Sequence, residues 1–375
     1  MPVEFGSSER SSLGVEWELQ VLDAATGEPR DEGPALIDDL RSAAGTPHPR
    51  LAHELLASTV EIVTGVHATV ASAVAELAEV LDELVEAAGR RDLVLSGGGA
   101  HATADPQAQP VAEGYERLIA RTAWWGREML IYGLHVHVGV EDRHKAVPLV
   151  GALLQTSGPI LALSASSPAW RGVGTGYASN RTMIFQQLPT AGLPDSMATW
   201  SDYERIVEHL LAADVIARRT ETRWDARPTQ LGTVESRICD SPPTIAEVAA
   251  LTALNQCVVE DSSTRLDAGE ELPALPRWLT AENRWRAARF GLDATFVTDT
   301  DGGSVPATEA VRRLVADLAP TAERLGCADD LALVEHVLDT GASYRRQLAA
   351  AEQDGWAAVP LHLAGELTEE RRPAG

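Results

Sequence analysis

The sequence predicts an α+β fold, a sheet covered by helices on one face with its other face open to ligand. Three observations lead there. The stretches Leu13–Leu19, Gly133–Gly139 and Thr233–Ile238 alternate polar and apolar residues. Period-two alternation is the mark of a half-buried strand, because successive side chains point to opposite faces. Strand-like segments fill the first two thirds of the chain, and helical periodicity fills the remainder from about residue 244. No internal repeat and no long low-complexity linker interrupts the chain. Its 375 residues are therefore read as one domain, 1–375, with a mostly helical C-terminal section.

The first strand, Leu13 to Leu22, ends in the turn-rich Asp23–Pro29. Pro34 to Ala43 reads as a short helix, Ser58 to Thr64 as a strand, and Ala68 to Arg90 as a long amphipathic helix. Asp92 to Ser96 is a buried strand that enters Gly97-Gly98-Gly99, a flexible or ligand-hugging loop. Ala112 to Trp125 reads as helix and leads to the histidine strand; Asp142 to Ser166 is a helix or broken pair. Trp200 to Ala213 is helical, and Thr222 to Gly232 carries Trp224, Asp225 and Arg227 into the third strand. The last third reads as helices over Ile245–Leu266, Arg277–Phe290, Glu309–Leu325, Leu331–Val337 and Ser343–Asp354.

Composition narrows the function. The formal net charge of −24 argues against nucleic acid or an anionic membrane surface as partner. An anionic nucleotide can still bind where Mg²⁺ and a few arginines sit locally. Cys239, Cys257 and Cys327 are odd in number and lack metal spacing, which fits a reducing cytoplasm better than a disulfide framework. Met1 to Ser12 has no apolar core, so no signal peptide is expected. The most apolar stretch, Ala146 to Ala165, contains Pro148, Gly151, Gln155, Gly158 and Pro159 and reads as broken buried helix, not a membrane span.

The three strands carry the chemistry. Glu16 and Glu18 share one strand face and would repel each other without a cation, so they are candidate ligands for Mg²⁺. Taken alone, such a pair more often faces solvent. His135 and His137 share a face and ask for a common partner: zinc, or a magnesium-bound phosphate that takes imidazole as donor. Glu235 and Arg237 offer a carboxylate for metal and a guanidinium for phosphate, or else a simple ion pair. Arg181 is alone in the otherwise uncharged Gly172–Pro194 and should meet an anion, with a γ-phosphate as candidate, or else make an internal ion pair. Trp124 and Trp125 read as packing residues, and Cys239 as structural.

Six ordered blocks then carry a resemblance: GVEWELQVLDAATGE, ELLASTVEIVTG, GLHVHVGVEDR, SASSPAWRGVGTGYASNRTMIFQQLPTAGLP, RWDARPTQLGTVESRICD and ENRWRAARFGLDA. Together they resemble the carboxylate–amine ligases, also called glutamate–cysteine ligase type 2, from about Leu13 to Asp293. The resemblance implies a glutamine-synthetase-like fold, in which a curved, mostly antiparallel sheet forms a funnel for ATP, two or more Mg²⁺ and an amino acid. It implies ATP-dependent joining of L-glutamate and L-cysteine, or another amine, through a γ-glutamyl phosphate, and a homodimer. By the same resemblance Glu16, Glu18, Glu61, His135 and Glu235 hold metal, and Glu54 and Glu61 meet substrate. His135, His137, Arg181 and Arg237 meet the nucleotide, with Arg181 and Arg237 acting on the transferring phosphoryl group. Trp17 replaces a third acidic residue of many members but points off the site face.

Three alternatives compete: a zinc-dependent hydrolase built on His135-Val136-His137, a guanidino kinase on a related sheet, and a non-catalytic sensor. On the ligase reading, Glu16→Ala or Glu235→Ala abolishes turnover with the fold intact.

Overall fold

The computed structural model describes residues 3–42, 45–112 and 114–369. Its strands are β1 (Leu13–Asp23), β2 (Leu51–His53), β3 (Thr59–Val63), β4 (Leu93–Ser96), β5 (Gly133–Gly139), β6 (Ala169–Trp170), β7 (Val173–Gly174), β8 (Ala226–Pro228), β9 (Thr233–Asp240), β10 (Thr295–Val297) and β11 (Ser304–Pro306). Seven of them form one sheet in the order β2-β3-β1-β5-β9-β8, with β4 beside the second half of β1. Every pairing in it is antiparallel. The short ladders β6–β7 and β10–β11 stand apart.

The helices are α1 (Gly33–Asp39), α2 (Val70–Gly89), α3 (Glu116–Thr122), α4 (Trp124–Arg127), α5 (Arg143–Gln155), α6 (Ser157–Ser164), α7 (Asn180–Phe185), α8 (Trp200–Ala212), α9 (Ile245–Asp267), α10 (Arg277–Phe290), α11 (Ala307–Leu325), α12 (Ala328–Thr340), α13 (Ser343–Asp354) and α14 (Val359–Glu369). Two of them show why helices cover one sheet face. In α2, Thr69 caps the first turn by accepting from Ser72 N, and Val70, Ala73, Leu77, Leu81, Leu84 and Ala88 make one buried stripe. In α9, capped by Thr244, burial extends around the helix because α2, α5, α11, α12 and β5 all pack on it. Beneath them lie the apolar residues of the three alternating strands: Val15, Trp17 and Leu19, then Leu134, Val136 and Val138, then Val234 and Ile238.

The expected α+β class and open sheet face are observed, and local differences have local causes. The expected Pro34–Ala43 helix stops at Asp39, and Ala43 lies outside the described residues. The expected Ala112–Trp125 helix, which includes the undescribed Glu113, is two short helices. Ala123 between them has φ +49°, which breaks the helical hydrogen-bond ladder. Trp124 and Trp125 are 57% and 47% exposed, so neither packs in a core; the Arg171 guanidinium lies 5.9 Å over the Trp124 ring instead. The β10–β11 hairpin and α14 were not legible in the predominantly helical last third. Among the described residues no single helix is long and apolar enough to cross a membrane; α5 and α6 bend by 55° at their junction.

The glycine run is also explained by packing. A Cβ on Gly99 would stand 2.5 Å from the Asp240 carboxylate, and one on Gly97 would stand 2.3 Å from the Pro242 carbonyl oxygen. The run therefore hugs the chain leaving β9, not a ligand. His101, just after it, faces the Gly27 carbonyl with Nε2 at 2.9 Å and accepts from Ala104 N at 3.0 Å with Nδ1.

Candidate active site

Register assembles the site. Across β1 and β3, Glu18 is the direct partner of Glu61; across β1 and β5, Glu16 is the partner of His135. His137 is opposite Glu235, which is opposite Arg227 on β8. Between Leu134 and Val136 the β5–β9 pairing shifts, so Arg237 and Ile238 together stand opposite His135. This bulge aims Arg237 at the imidazole, and its Nη1 comes within 3.5 Å of His135 Nδ1.

Glu16, Glu18, Glu54, Glu61, His135, Arg181 and Arg237 line one cavity of roughly 390 Å³. His137 and Glu235 do not line it but hold residues that do. His137 Nε2 lies 3.2 Å from Glu16 Oε1, with Nδ1 3.1 Å from Thr233 Oγ1. With both ring nitrogens occupied, direct contact between His137 and a nucleotide is not part of this arrangement. Glu235 is 1% exposed and sits between Arg227, whose Nε donates at 2.6 Å, and Arg237.

Two groups of side chains have ligand atoms mutually within 4.8 Å: Glu16, His135 and Glu235, and Glu18, Glu61 and His135. Glu16 and Glu18 thus fall in different groups, and His135 is common to both. Its Nδ1 is 2.9 Å from Glu16 Oε2, while its Nε2 is buried without a hydrogen-bond partner, 3.9 Å from Glu18 Oε1. A buried polar atom without a partner is costly in isolation. The Nδ1–H tautomer donates to Glu16 and leaves the Nε2 lone pair facing Glu18 and Glu61.

The electrostatics divide in the same way. Burial, followed by the Glu54 charge, pushes Glu18 up to about 8. Burial and then the charges of Glu54, Glu16 and Glu18 raise Glu61 well above the carboxylate range. Burial would also raise Glu16, but hydrogen bonds from His135 and His137 outweigh it and hold the carboxyl well below that range. Burial and the Arg237 charge press His135 down to about 4, a neutral imidazole. For His137 burial opposes the charge, but Glu235 and Glu16 prevail and raise its pKa. The pocket therefore places a crowded set of carboxylates beside a neutral, ligand-competent imidazole.

Arg181 sits on α7, a segment with no readable period in the sequence. Ser179 caps that helix by accepting from Thr182 N, and its hydroxyl donates to the buried Asp240 at 2.8 Å. Arg181 is 4% exposed and has no carboxylate ion pair among the described residues. Among those residues its guanidinium donates only to the Arg237 carbonyl oxygen, twice at 3.3 Å, and lies 5.6 Å over the Phe185 ring. Cys239 is buried and its thiol is pushed up to about 12, chiefly by burial, which fits a structural residue.

Sequence reasoning did not select Arg227, Tyr115 or Arg223. Arg227 lies opposite Glu235 in a tight β8–β9 hairpin, and the Pro228–Thr233 turn was the available signal. Tyr115, within the expected Ala112–Trp125 helix, stands just before α3, and Arg223 reaches the cavity from an irregular segment that no periodicity marks.

The sequence profile of glutamate–cysteine ligase family 2 matches residues 12–365. A Leifsonia xyli protein carrying the provisional name glutamate–cysteine ligase 2 is 44% identical over 373 residues, 99% of this chain and 98% of its own length. A Micrococcus luteus protein with the same provisional name is 46% identical over 359 residues, covering 94% of this chain and 90% of the relative. Among solved structures, Francisella tularensis glutamate–cysteine ligase in complex with AMP aligns over 99% of this chain and 91% of its own. The TM-score is 0.66 at 12% identity, a likeness of fold.

Proposed function

Because the chain belongs to glutamate–cysteine ligase family 2, we propose that it uses ATP to join the γ-carboxylate of L-glutamate to the amine of L-cysteine. In the first step a γ-carboxylate oxygen attacks the γ-phosphorus of ATP, ADP leaves, and a γ-glutamyl phosphate forms. In the second, the amine attacks the acyl carbon, phosphate leaves with that oxygen, and the amine loses a proton.

The observation that carries this reading is the pair of ligand groups sharing His135, beside two arginines. Glu18, Glu61 and the Nε2 of His135 would hold one Mg²⁺, and the carboxylates of Glu16 and Glu235 a second. The oxygen-rich donors suit that ion, and the orphaned Nε2 supports a ligand at the first group. Bound there, Mg²⁺ would neutralise phosphate oxygens as charge moves during transfer. Arg181 and Arg237 would brace the transferring phosphoryl group, since a bound anion would give the Arg181 guanidinium the charged partner it lacks. Glu54 and Glu61 would receive the substrate amine. His137 would act through Glu16, holding that carboxylate in place.

The test is ADP release across a matrix of amino acids with Mg²⁺ and ATP. Release that needs both glutamate and cysteine, with γ-glutamylcysteine identified by mass, is the expected result. Release with glutamate alone would mean acyl phosphate formation followed by hydrolysis, and a different amine. Stoichiometric zinc in the purified protein would favour the hydrolase alternative.

A further inference from the structure

A second cavity of roughly 350 Å³ adjoins the first, and Arg117, Arg121, Arg218 and Arg223 all line it. Tyr115, Leu118, Arg218, Glu221 and Arg223 line both cavities. Four guanidiniums around one chamber reverse the sign of a chain whose net charge is −24. Their acidic partners are few. Arg117 pairs with exposed Asp214 at 3.2 Å, and Arg218 stands 3.7 Å from Glu221. Arg121 and Arg223 have no ion pair among the described residues.

Arg223 is the informative member. It is half-buried, and among the described residues its guanidinium donates only to the Glu221 carbonyl oxygen, at 3.1 Å. Burial lowers its pKa, and the charges of Arg237, Arg227 and Arg121 add to that against the pull of Glu221. A partly desolvated guanidinium among like charges is unfavourable unless an anion completes it. The anion's class follows from the lining. A nucleotide triphosphate travels with Mg²⁺ and needs carboxylates, which the first cavity supplies. Among the described residues the second has one acid, Glu221, already facing Arg218. It suits an anion that arrives without metal, and the planar guanidinium fork matches a carboxylate.

We propose that this outer chamber holds the carboxylate of the acceptor amine, with Arg223 as its anchor and Arg121 and Arg218 flanking it. The acceptor is then an amino acid or peptide, and amines without a carboxylate are poor substrates. Assigning the anion to the acceptor rests on the ligase reading; the chamber's affinity for a carboxylate does not.

Calorimetry tests it on the whole protein loaded with Mg²⁺, a non-hydrolysable ATP analogue and glutamate. The probes are L-2-aminobutyrate and its decarboxylated counterpart, propylamine. L-2-aminobutyrate should bind about tenfold or more tighter than propylamine. Arg223→Gln should weaken it by about tenfold or more, and Arg223→Lys should recover part of the loss. Arg121→Gln, on an exposed helix, should weaken it by about two- to fivefold without touching the fold. Affinity for the ATP analogue should stay within about twofold throughout. Equal binding of the two probes, or equal binding by wild type and Arg223→Gln, overturns the proposal. Loss of the ATP analogue instead would assign the chamber to nucleotide phosphate and overturn it equally. ADP release on the same preparations separates the two readings. Arg223-dependent aminobutyrate binding without turnover on any amine would sink the ligase and leave the carboxylate site standing.

Discussion

Glu16 and His135 are direct partners across β1 and β5, with Glu16 Oε2 2.9 Å from His135 Nδ1. One carboxylate fixes the tautomer of the imidazole and, through its other oxygen, meets His137. Glu16→Gln removes the charge and keeps the shape. Turnover should fall by about a thousandfold or more. Near-normal ADP release from this variant would remove Glu16 from the site. His135→Ala should weaken ATP use, and unchanged KM and kcat for ATP would rule out its assigned role.

Glu235 departs from the expectation formed on sequence. It is buried between the guanidiniums of Arg227 and Arg237, so its removal does more than delete a ligand. Glu235→Ala leaves two positive groups without their counter-charge, which costs about 3–5 kcal/mol. This variant should lose both activity and thermal stability. A melting curve that superimposes on wild type would refute the structural role of Glu235.

For Arg181 the opposite pattern is expected. The side chain is 4% exposed and meets only a carbonyl oxygen and a ring, so the folded state gains little from its charge. Arg181→Met should leave the thermal midpoint unchanged or slightly raised. Glutamate-dependent ADP release should fall by about a hundredfold or more. Marked destabilisation with normal kinetics would make Arg181 a structural cation.

A pH effect on stability belongs to Glu76, away from the cavity. It ties α2 to the edge of the sheet, accepting from Arg50 Nε and Gly65 N at 2.6 Å each and facing His67 Nε2 at 2.8 Å. Burial would raise its pKa, but these bonds outweigh burial and bring it from 4.5 to about 2. A depressed folded pKa stabilises above the unfolded value and loses that contribution as pH falls through the folded one. Glu76 therefore stabilises fully above about pH 5, and the contribution fades between there and about pH 2. Glu76→Gln should destabilise by on the order of 1–2 kcal/mol at pH 7 and by much less near pH 2. A pH-independent difference in denaturant midpoints would contradict this.

The legible part of the protein was the part with a period. Glu16 with Glu18, His135 with His137, and Glu235 with Arg237 are each two residues apart, so alternation alone put each pair on one strand face. Which pairs meet depends on register, and register was hidden. The bulge opposite His135 that aims Arg237, and the assignment of Glu16 and Glu18 to separate ligand groups, arise from pairing between strands far apart in sequence. Arg227 is on a three-residue strand, too short to alternate visibly. Arg223 comes from a loop placed by tertiary contacts, and Tyr115 stands at the start of a helix shorter than the pattern suggests. The Gly97–Gly99 run misled because glycine reports close approach without saying what approaches; here it is the chain at Asp240 and Pro242.

Oxygen transfer tests the central claim most directly. The chain would be supplied with glutamate carrying ¹⁸O in its γ-carboxylate, together with ATP, Mg²⁺ and cysteine, and the phosphate product read by ³¹P NMR or mass. The acyl phosphate route requires one labelled oxygen to leave on phosphate for each amide formed. Label appearing in phosphate in step with γ-glutamylcysteine is the predicted result. Amide formation with unlabelled phosphate would contradict activation of the carboxylate by ATP at this site.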